Sequence, residues 1–413
     1  MKWSIVAPGQ GGNRISFLYY AKFKNPLIED RVLLLNTTTS DVAPFRALDY
    51  LFSKNAKYKE IFEKMKHRIC IFGKSPSGAG NNWKIGELEA KYDFELIDKY
   101  FSSLGVEKGD VVLGITTLGG GTGSGSLPYI IHKLKDRVDN FFALGILPFD
   151  FEGAQRYFNT ICGISRLLRY NNEQNADMLI LVENSMVERY LEVIEKTVEE
   201  RYHKINEEII KVINMLIFPG GEGAKATIDV ADYYQLPRSM GVYHFAPCIS
   251  FGNDPEVFSL EALLEAALEH PLAPFDTKTA TMAYIVVVAP KEYVDKGIYT
   301  QIGLERISKE WADKHLVGGG ILRYSSLVAS EQDSVDVMIL LGGFSFKQIL
   351  SKYLRDYYNF KESLSELVVS REEIDKLEEE LKKYVAKTEE SIERIREIKE
   401  GKEFEEKLKS WLE

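Results

Sequence analysis

The sequence predicts an α/β chain: a doubly wound parallel-sheet domain, a long central helix, a second and smaller α+β domain, and a C-terminal amphipathic helix. Three observations carry this. The first half alternates short apolar runs with segments of helical period, the pattern of strands covered on both faces by crossover helices. Near residue 192 that rhythm gives way to one long helical stretch, followed by strands in a different spacing. Beyond residue 361 the chain becomes rich in Lys and Glu while keeping apolar residues at helical intervals. At 413 residues it is also too long for one ordinary core.

In order, residues 4–7, 31–35, 68–72, 111–117, 141–147 and 178–182 read as buried strands. Residues 85–101, 127–137 and 154–169 between them read as helices. Ligands on such sheets bind where the carboxyl ends of strands run into helices. A long helix over 192–217 ends at Pro219-Gly220-Gly221, and strands are expected at 242–251, 283–288, 321–329 and 335–341. The expected division is a first domain at 1–191, a central helix and following loop at 192–234, a second α+β domain at 235–346 and a charged helical extension at 347–413.

Composition narrows the function. Hydrophobic content of 45% and charged content of 28% describe a globular protein, and no apolar run is long enough to span a bilayer. The N-terminus enters a strand at once, without a signal-peptide pattern. Cys70, Cys162 and Cys248 are far apart and unpaired in spacing, which suits reduced thiols in a cytoplasm and offers no zinc framework. A net charge of −10 argues against broad nucleic-acid binding, which depends on neutralising phosphates with Lys and Arg.

The strongest chemical signal is Leu118-Gly119-Gly120-Gly121-Thr122-Gly123-Ser124-Gly125, directly after the strand at 111–117 and before a helix. Glycines there are expected to adopt positive φ and turn successive N–H groups inward. With the following helix N-terminus they would cradle phosphates, and Thr122 and Ser124 would add hydroxyl donors. A flexible glycine linker would not sit between a buried strand and an apolar helix. Other glycine motifs fit less well. A P-loop ending at Gly73-Lys74-Ser75 would need glycine where Arg68 stands. Gly9-Gln10-Gly11-Gly12-Asn13-Arg14 contains GxG, but Arg14 replaces the third glycine and the second strand ends at Asn36 instead of an acid. Dinucleotide binding is therefore the weaker alternative.

The segment Gly119–Gly125 resembles the signature loop of the tubulin/FtsZ superfamily, and other loops resemble the family's in the same order. Gly9-Gln10-Gly11-Gly12-Asn13 is similar to its first loop, Asn36-Thr37-Thr38 to its second and Gly78-Ala79-Gly80-Asn81-Asn82-Trp83 to its third. Pro148-Phe149-Asp150-Phe151-Glu152-Gly153-Ala154-Gln155-Arg156 is close to the family pattern PFxFEGxxR. The resemblance implies a GTPase using GTP/GDP and Mg²⁺, with subunits stacking head to tail into filaments. It places Gly9, Gln10, Gly11, Gly12, Asn13, Asn36, Ala79, Gly80, Asn81 and Gly119 to Ser124 (Gly119, Gly120, Gly121, Thr122, Gly123, Ser124) around GTP. Mg²⁺ would be held mainly through phosphates near Gln10. Glu152 would meet the ribose and Arg156 would approach the nucleotide. Asn both donates and accepts, as guanine requires, so Asn13 and Asn206 are the candidates for the base; Asn171, Asn172 and Asn175 are nearby competitors.

Past the long helix, Thr227-Ile228-Asp229-Val230-Ala231-Asp232 resembles the family's synergy loop, NxDxxD. Asp229 and Asp232 match as the catalytic carboxylates inserted into the next subunit's site, while Thr227 replaces the asparagine. The resemblance is thinner over the second domain and spans about Met1 to Phe346 in all. In the C-terminal helix Ile374, Leu377, Leu381, Tyr384, Val385, Ile392 and Ile395 keep helical spacing, which suits either packing on its own domain or binding a protein partner.

Overall fold

A computed structural model describes residues 2–37, 46–74, 78–192, 197–221, 223–228, 230–319, 322–364, 369–399 and 411. The chain divides into two compact units. One is Met1–Asn214 with Leu350–Leu381, the other Met215–Ile349 with Lys382–Glu413.

In the first unit, strands β1 (Trp3–Pro8), β2 (Val32–Asn36), β3 (Ile69–Ile71), β4 (Val111–Thr117) and β5 (Asn140–Leu147) precede a two-residue hairpin, β6 (Arg169–Tyr170) and β7 (Glu173–Gln174). Strand β8 (Met178–Glu183) follows. The sheet runs β8-β5-β4-β1-β2-β3 with every pair parallel. Ile5 pairs with both Val32 and Leu113, so β1 is central. Strands β1, β2, β5 and β8 are buried along their whole lengths, which is why they read as continuous apolar runs. Strand order reverses between β1 and β4, so the loops leaving these two strands flank a topological switch point.

The second unit holds β9 (His244–Asn253), β10 (Met282–Pro290), β11 (Arg323–Ser330) and β12 (Val335–Gly342). Their order is β11-β10-β12-β9; β10 and β11 are parallel and the other pairs antiparallel. Helices still separate β9, β10 and β11, while β11 and β12 follow one another directly.

Four helical expectations change. The long helix expected at 192–217 runs Val198–Ile217, and Glu192 ends the preceding helix Asn184–Leu191. The helix expected at 85–101 is two, Trp83–Tyr92 and Phe94–Ser102. It breaks at Asp93, whose carboxylate accepts from Gly73 N–H at 3.1 Å. The helix expected at 127–137 starts earlier, at Gly121, so the signature glycines lie inside its first turns. The single C-terminal helix is two, Lys347–Ser363 and Arg371–Lys399. Ile349, Tyr353 and Tyr357 give the first of these a buried stripe at four-residue spacing.

The apolar stripe of the last helix is buried in the chain itself: Ile374, Leu377, Leu381, Tyr384, Ile392 and Ile395 are inside and Val385 half-buried. In the first unit Ser165 donates to the Leu377 carbonyl at 2.9 Å, and Glu373 accepts from Lys84 and Arg166. In the second, Tyr243 N–H donates to Tyr384 Oη at 2.8 Å, and Lys399 donates to the Asp313 and Leu316 carbonyls. Packing on its own chain is thus the reading that holds for this stripe. Among the described residues, no helix is long and apolar enough to cross a membrane.

Candidate nucleotide-binding site

Three helices of the first unit begin at the carboxyl edge of the sheet. Gln10–Lys22 follows β1, Gly121–Leu134 follows β4, and Ala154–Leu168 follows the loop after β5. Their N-caps are Gly9, Gly120 and Gly153; none supplies a side-chain cap and none of the first turns holds an acid. By contrast, Asn55, Asn82, Ser259 and Thr300 cap their helices with side-chain oxygens. Uncapped termini leave first-turn N–H groups for an outside acceptor and carry partial positive charge. The three lie close together. A Cβ on Gly9 would stand 3.1 Å from Gly123 N, and one on Gly119 would stand 3.3 Å from Arg156 Cβ. Above Gly120 the space is open. Such a convergence suits an anion with several oxygens, such as a polyphosphate.

The signature glycines act differently from the expectation. Gly9, Gly78 and Gly80 have positive φ, and so does Asn81, but no glycine from 119 to 125 does. Those glycines serve close packing instead. A Cβ on Gly125 would lie 1.8 Å from the Trp83 carbonyl oxygen, and one on Gly121 would lie 2.5 Å from Asn82 N. A Cβ on Gly86 would meet the Gly121 carbonyl oxygen at 2.3 Å. Two helices touch backbone to backbone, which presses the third loop (Gly78–Asn82) onto the signature loop. Asn159 locks the pair, its Nδ2 donating to the Asn81 and Gly119 carbonyls at 2.9 and 3.0 Å.

Beside this cradle a cleft of about 170 Å³ runs between the first-loop helix and the long helix Val198–Ile217. Of the residues expected at the site, Gln10, Gly11, Gly119, Glu152, Arg156 and Asn206 line it. Arg14, Thr117, Asn184 and Tyr202 line it too and were not expected. Spacing could have found two of them, since Arg14 lies four residues past Gln10 and Tyr202 four before Asn206, each pair on one helix face. Tyr202 Oη donates to Glu152 Oε1 at 3.3 Å, while Arg156 Nε stands 3.9 Å from Glu152 Oε2. Burial raises the Glu152 carboxyl, opposed by Arg156 and by the Tyr202 hydrogen bond. Burial and the Glu152 charge push the Tyr202 phenol up to about 12. Buried Glu183, which precedes Asn184, accepts from Lys352 at 2.7 Å and pairs with the Tyr353 hydroxyl, and Lys352 also holds Asp150 in the loop bearing Glu152.

Several expected site residues turn inward. Asn13 is buried, its Nδ2 donating to the Ala7 carbonyl at 2.6 Å and the Leu35 carbonyl at 3.2 Å. Its Oδ1 accepts from Asn36 Nδ2 at 3.3 Å, and Asn36 in turn accepts from Thr37 N–H. Both amides therefore tie β1 to β2 and do not face the cleft. Ser124 is also buried and donates to the Leu118 carbonyl. A Cβ on Gly12 would meet the Ile115 carbonyl oxygen at 2.4 Å, so this glycine too answers to packing. Thr122 reaches Thr37, hydroxyl to hydroxyl, at 2.7 Å and joins the second loop to the signature loop. Asn175 Nδ2 donates to the Pro128 and Arg166 carbonyls, and Asn175 does not line the cleft. Asp232, half-buried, lies in the first turn of Val230–Met240 in the second unit; Asp229 lies outside the described residues. No group of three metal-ligating side chains occurs among the described residues. Beside nucleotides Mg²⁺ is usually carried on phosphate oxygens and water and needs no such group.

Comparison with known proteins agrees with this geometry. Residues 3–192 match the Tubulin/FtsZ family, GTPase domain. Cell division protein FtsZ 1 of Pyrococcus woesei is 28% identical over 308 residues, covering 72% of this chain and 76% of that protein. Tubulin-like protein CetZ1 of Haloferax volcanii is 22% identical over 382 residues, covering 83% and 88%. Among solved structures, the GTPγS-bound protofilament of CetZ2 from Haloferax volcanii superposes with a TM-score of 0.69 at 20% identity, covering 88% of this chain and 99% of that one. CetZ from Methanosaeta thermophila gives a TM-score of 0.67 at 20% identity, covering 96% and 98%. A parallel sheet with its switch point between β1 and β4, glycine loops in the same order at its edge and these matches are all accounted for in one way: the chain has the tubulin/FtsZ fold, and its residues 3–192 match the GTPase domain of that family.

Proposed function

We propose that this protein is a GTP-binding cytoskeletal protein that polymerises head to tail and hydrolyses GTP as it does so. The observation that carries this is the meeting of three uncapped helix N-termini beside a cleft walled by Tyr202, Asn184 and Asn206. The termini suit the triphosphate. The aromatic ring can stack on a base, and the two amides can both donate to it and accept from it. Glu152, beside Arg156 and Tyr202, would accept from ribose hydroxyls. Mg²⁺ would offset charge on the phosphates when bound. Gln10, at the start of the first-loop helix, would stand near it.

Among the described residues the acid lining the cleft is Glu152, which is engaged by Tyr202 and Arg156. Phosphoryl transfer needs positioning and charge stabilisation above all, so an acid that orients the attacking water would complete the site. Asp229 and Asp232 of an adjacent copy would supply it, which couples hydrolysis to assembly. Thr227, at the place of the synergy-loop asparagine, favours a second reading: a nucleotide-binding scaffold subunit with little turnover. GTP turnover against protein concentration, with Mg²⁺ present, separates the two. A specific rate that climbs above a threshold concentration supports the shared site. A constant rate per molecule refutes it, and tight GTP binding without turnover selects the scaffold.

A further inference from the structure

We infer that Lys352 is a positioning residue for the nucleotide site: its ammonium sets the loop 148–153 and, through that loop, the Glu152 carboxylate that meets the ribose. This rests on the nucleotide reading of the cleft, with Glu152 as its ribose acceptor. Lys352 and Tyr353 lie on the helix Lys347–Ser363, in the stretch that belongs to the first unit. Neither lines the cleft. Lys352 Nζ donates to Glu183 at 2.7 Å and also pairs with Asp150. One ammonium thus joins two segments that do line the cleft. Glu183 precedes Asn184 at the end of β8, and Asp150 stands two residues before Glu152.

Asp150 is the fixed point of its loop. Tyr157 Oη donates to the Phe149 and Asp150 carbonyls at 3.1 and 2.7 Å, and Asp150 N–H donates to Ser185 Oγ at 2.9 Å. Arg189 reaches the Asp150 carboxylate from the exposed side at 3.0 Å. Glu152 makes longer side-chain contacts, 3.3 Å to Tyr202 and 3.9 Å to Arg156, so its place follows from where Asp150 is held. Glu183 is fully buried, and a buried carboxylate needs its cation. Tyr353 donates to the same carboxylate, and its ring lies 5.1 Å from that of Tyr157, which holds the loop backbone. Burial alone would raise the Asp150 carboxyl; the Lys352 hydrogen bond and charge, with Ser185 and Arg189, hold it below its ordinary value. Without Lys352, Asp150 loses its inner partner and is repelled by Glu183, and the loop moves with it.

The test compares GTP with its 2′,3′-dideoxy analogue, which lacks the hydroxyls that Glu152 would bind. Equilibrium dialysis of the full chain, below the assembly concentration, gives both affinities for wild type, K352M, K352R and E152Q. A carboxylate bonded to the ribose should favour GTP over the analogue by roughly 10- to 100-fold. E152Q should remove most of that ratio. K352M should remove it too, while the analogue itself binds within about threefold of wild type. K352R keeps the cation and should restore most of the ratio. Combining K352M with E152Q should cost no more ratio than E152Q alone, because both act through one contact. D150N cuts the same tether at an exposed carboxylate and should repeat the K352M result; it carries the test if K352M fails to fold in a thermal-unfolding control. An equal loss for GTP and the analogue in K352M would make the lysine purely structural and overturn the inference, as would no change for either. A wild-type chain that binds both equally takes the ribose away from Glu152 and overturns the inference while the nucleotide reading of the cleft stands. A wild-type chain that binds neither overturns that reading and the inference with it.

Discussion

Asn13 and Asn206 were both expected to read guanine; both are buried, but Asn13 is bonded to strand carbonyls while Asn206 lines the cleft, so their alanine variants should fail in different ways. Removing the Asn13 amide takes donors from the Ala7 and Leu35 carbonyls and the acceptor from Asn36 Nδ2. A typical net hydrogen bond contributes about 1 kcal/mol, and a stranded buried group costs about 1–3 kcal/mol. Because all three hydrogen bonds lie at a buried site, N13A should lose about 3–4 kcal/mol, a large share of the roughly 5–15 kcal/mol of a folded domain. Asn206 lines the cleft. N206A removes a buried side chain that has no share in the strand network, so it should lose less stability than N13A and at least about tenfold in GTP affinity. Nucleotide-free urea unfolding measures the first quantity, and titration with a fluorescent GTP analogue measures the second. An N13A protein of wild-type stability that no longer binds GTP would refute the strand-tying role and return Asn13 to the ligand.

Other consequences are independent of that one. G125A forces a Cβ toward the Trp83 carbonyl oxygen and Glu87 N, placed 1.8 and 2.6 Å away; it should cost about 1–3 kcal/mol and displace the third loop. G120A meets open space, so it should fold normally in thermal unfolding but weaken GTP by occupying the cradle. D232A, and D229A with it, should leave GTP affinity near wild type and cut assembled turnover by about 100-fold or more, read as phosphate release; wild-type turnover in both would remove the carboxylates from the mechanism. His244 is fully buried between the Phe344 carbonyl, at 2.7 Å, and Tyr384 Oη, at 2.9 Å, and burial lowers its pKa to about 3. Because its folded pKa lies below the unfolded value, the unfolded chain binds the extra proton, and the His244 contribution is present above about pH 6.5 and lost as pH falls toward 3. At pH 5 that loss is about 2 kcal/mol, from about 1.4 kcal/mol per pKa unit. Unfolding midpoints at pH 7 and pH 5 should differ less in H244Q than in wild type; an equal difference would exonerate His244.

Much of the fold and part of the site were legible in the amino-acid order because they obey local rules. A strand buried on both faces must be apolar throughout, so β1, β4, β5 and β8 stood out as uninterrupted runs. A phosphate-binding turn must follow such a strand and precede a helix, so the loops at Gly9 and Gly119–Gly125 were visible without any contact being known. The C-terminal helix showed its stripe for the same reason, although its burial depended on partners such as Ser165 and Tyr243, far away in the chain. Local reasoning failed where a residue type has two uses. A glycine serves a positive φ or a close approach equally well, and only the 1.8 Å gap at Gly125 shows that packing is its reason here. An asparagine can pair with guanine or with a carbonyl; Asn13 turned to Ala7 and Leu35 because β2 lies beside β1. The sequence alone thus determined the order of strands and loops, since those rest on hydrophobic period and backbone conformation. Only the tertiary structure decided that Arg14, Asn184, Tyr202 and Asn206 share one cleft, because helices distant in the chain must pack against one sheet before their side chains can meet.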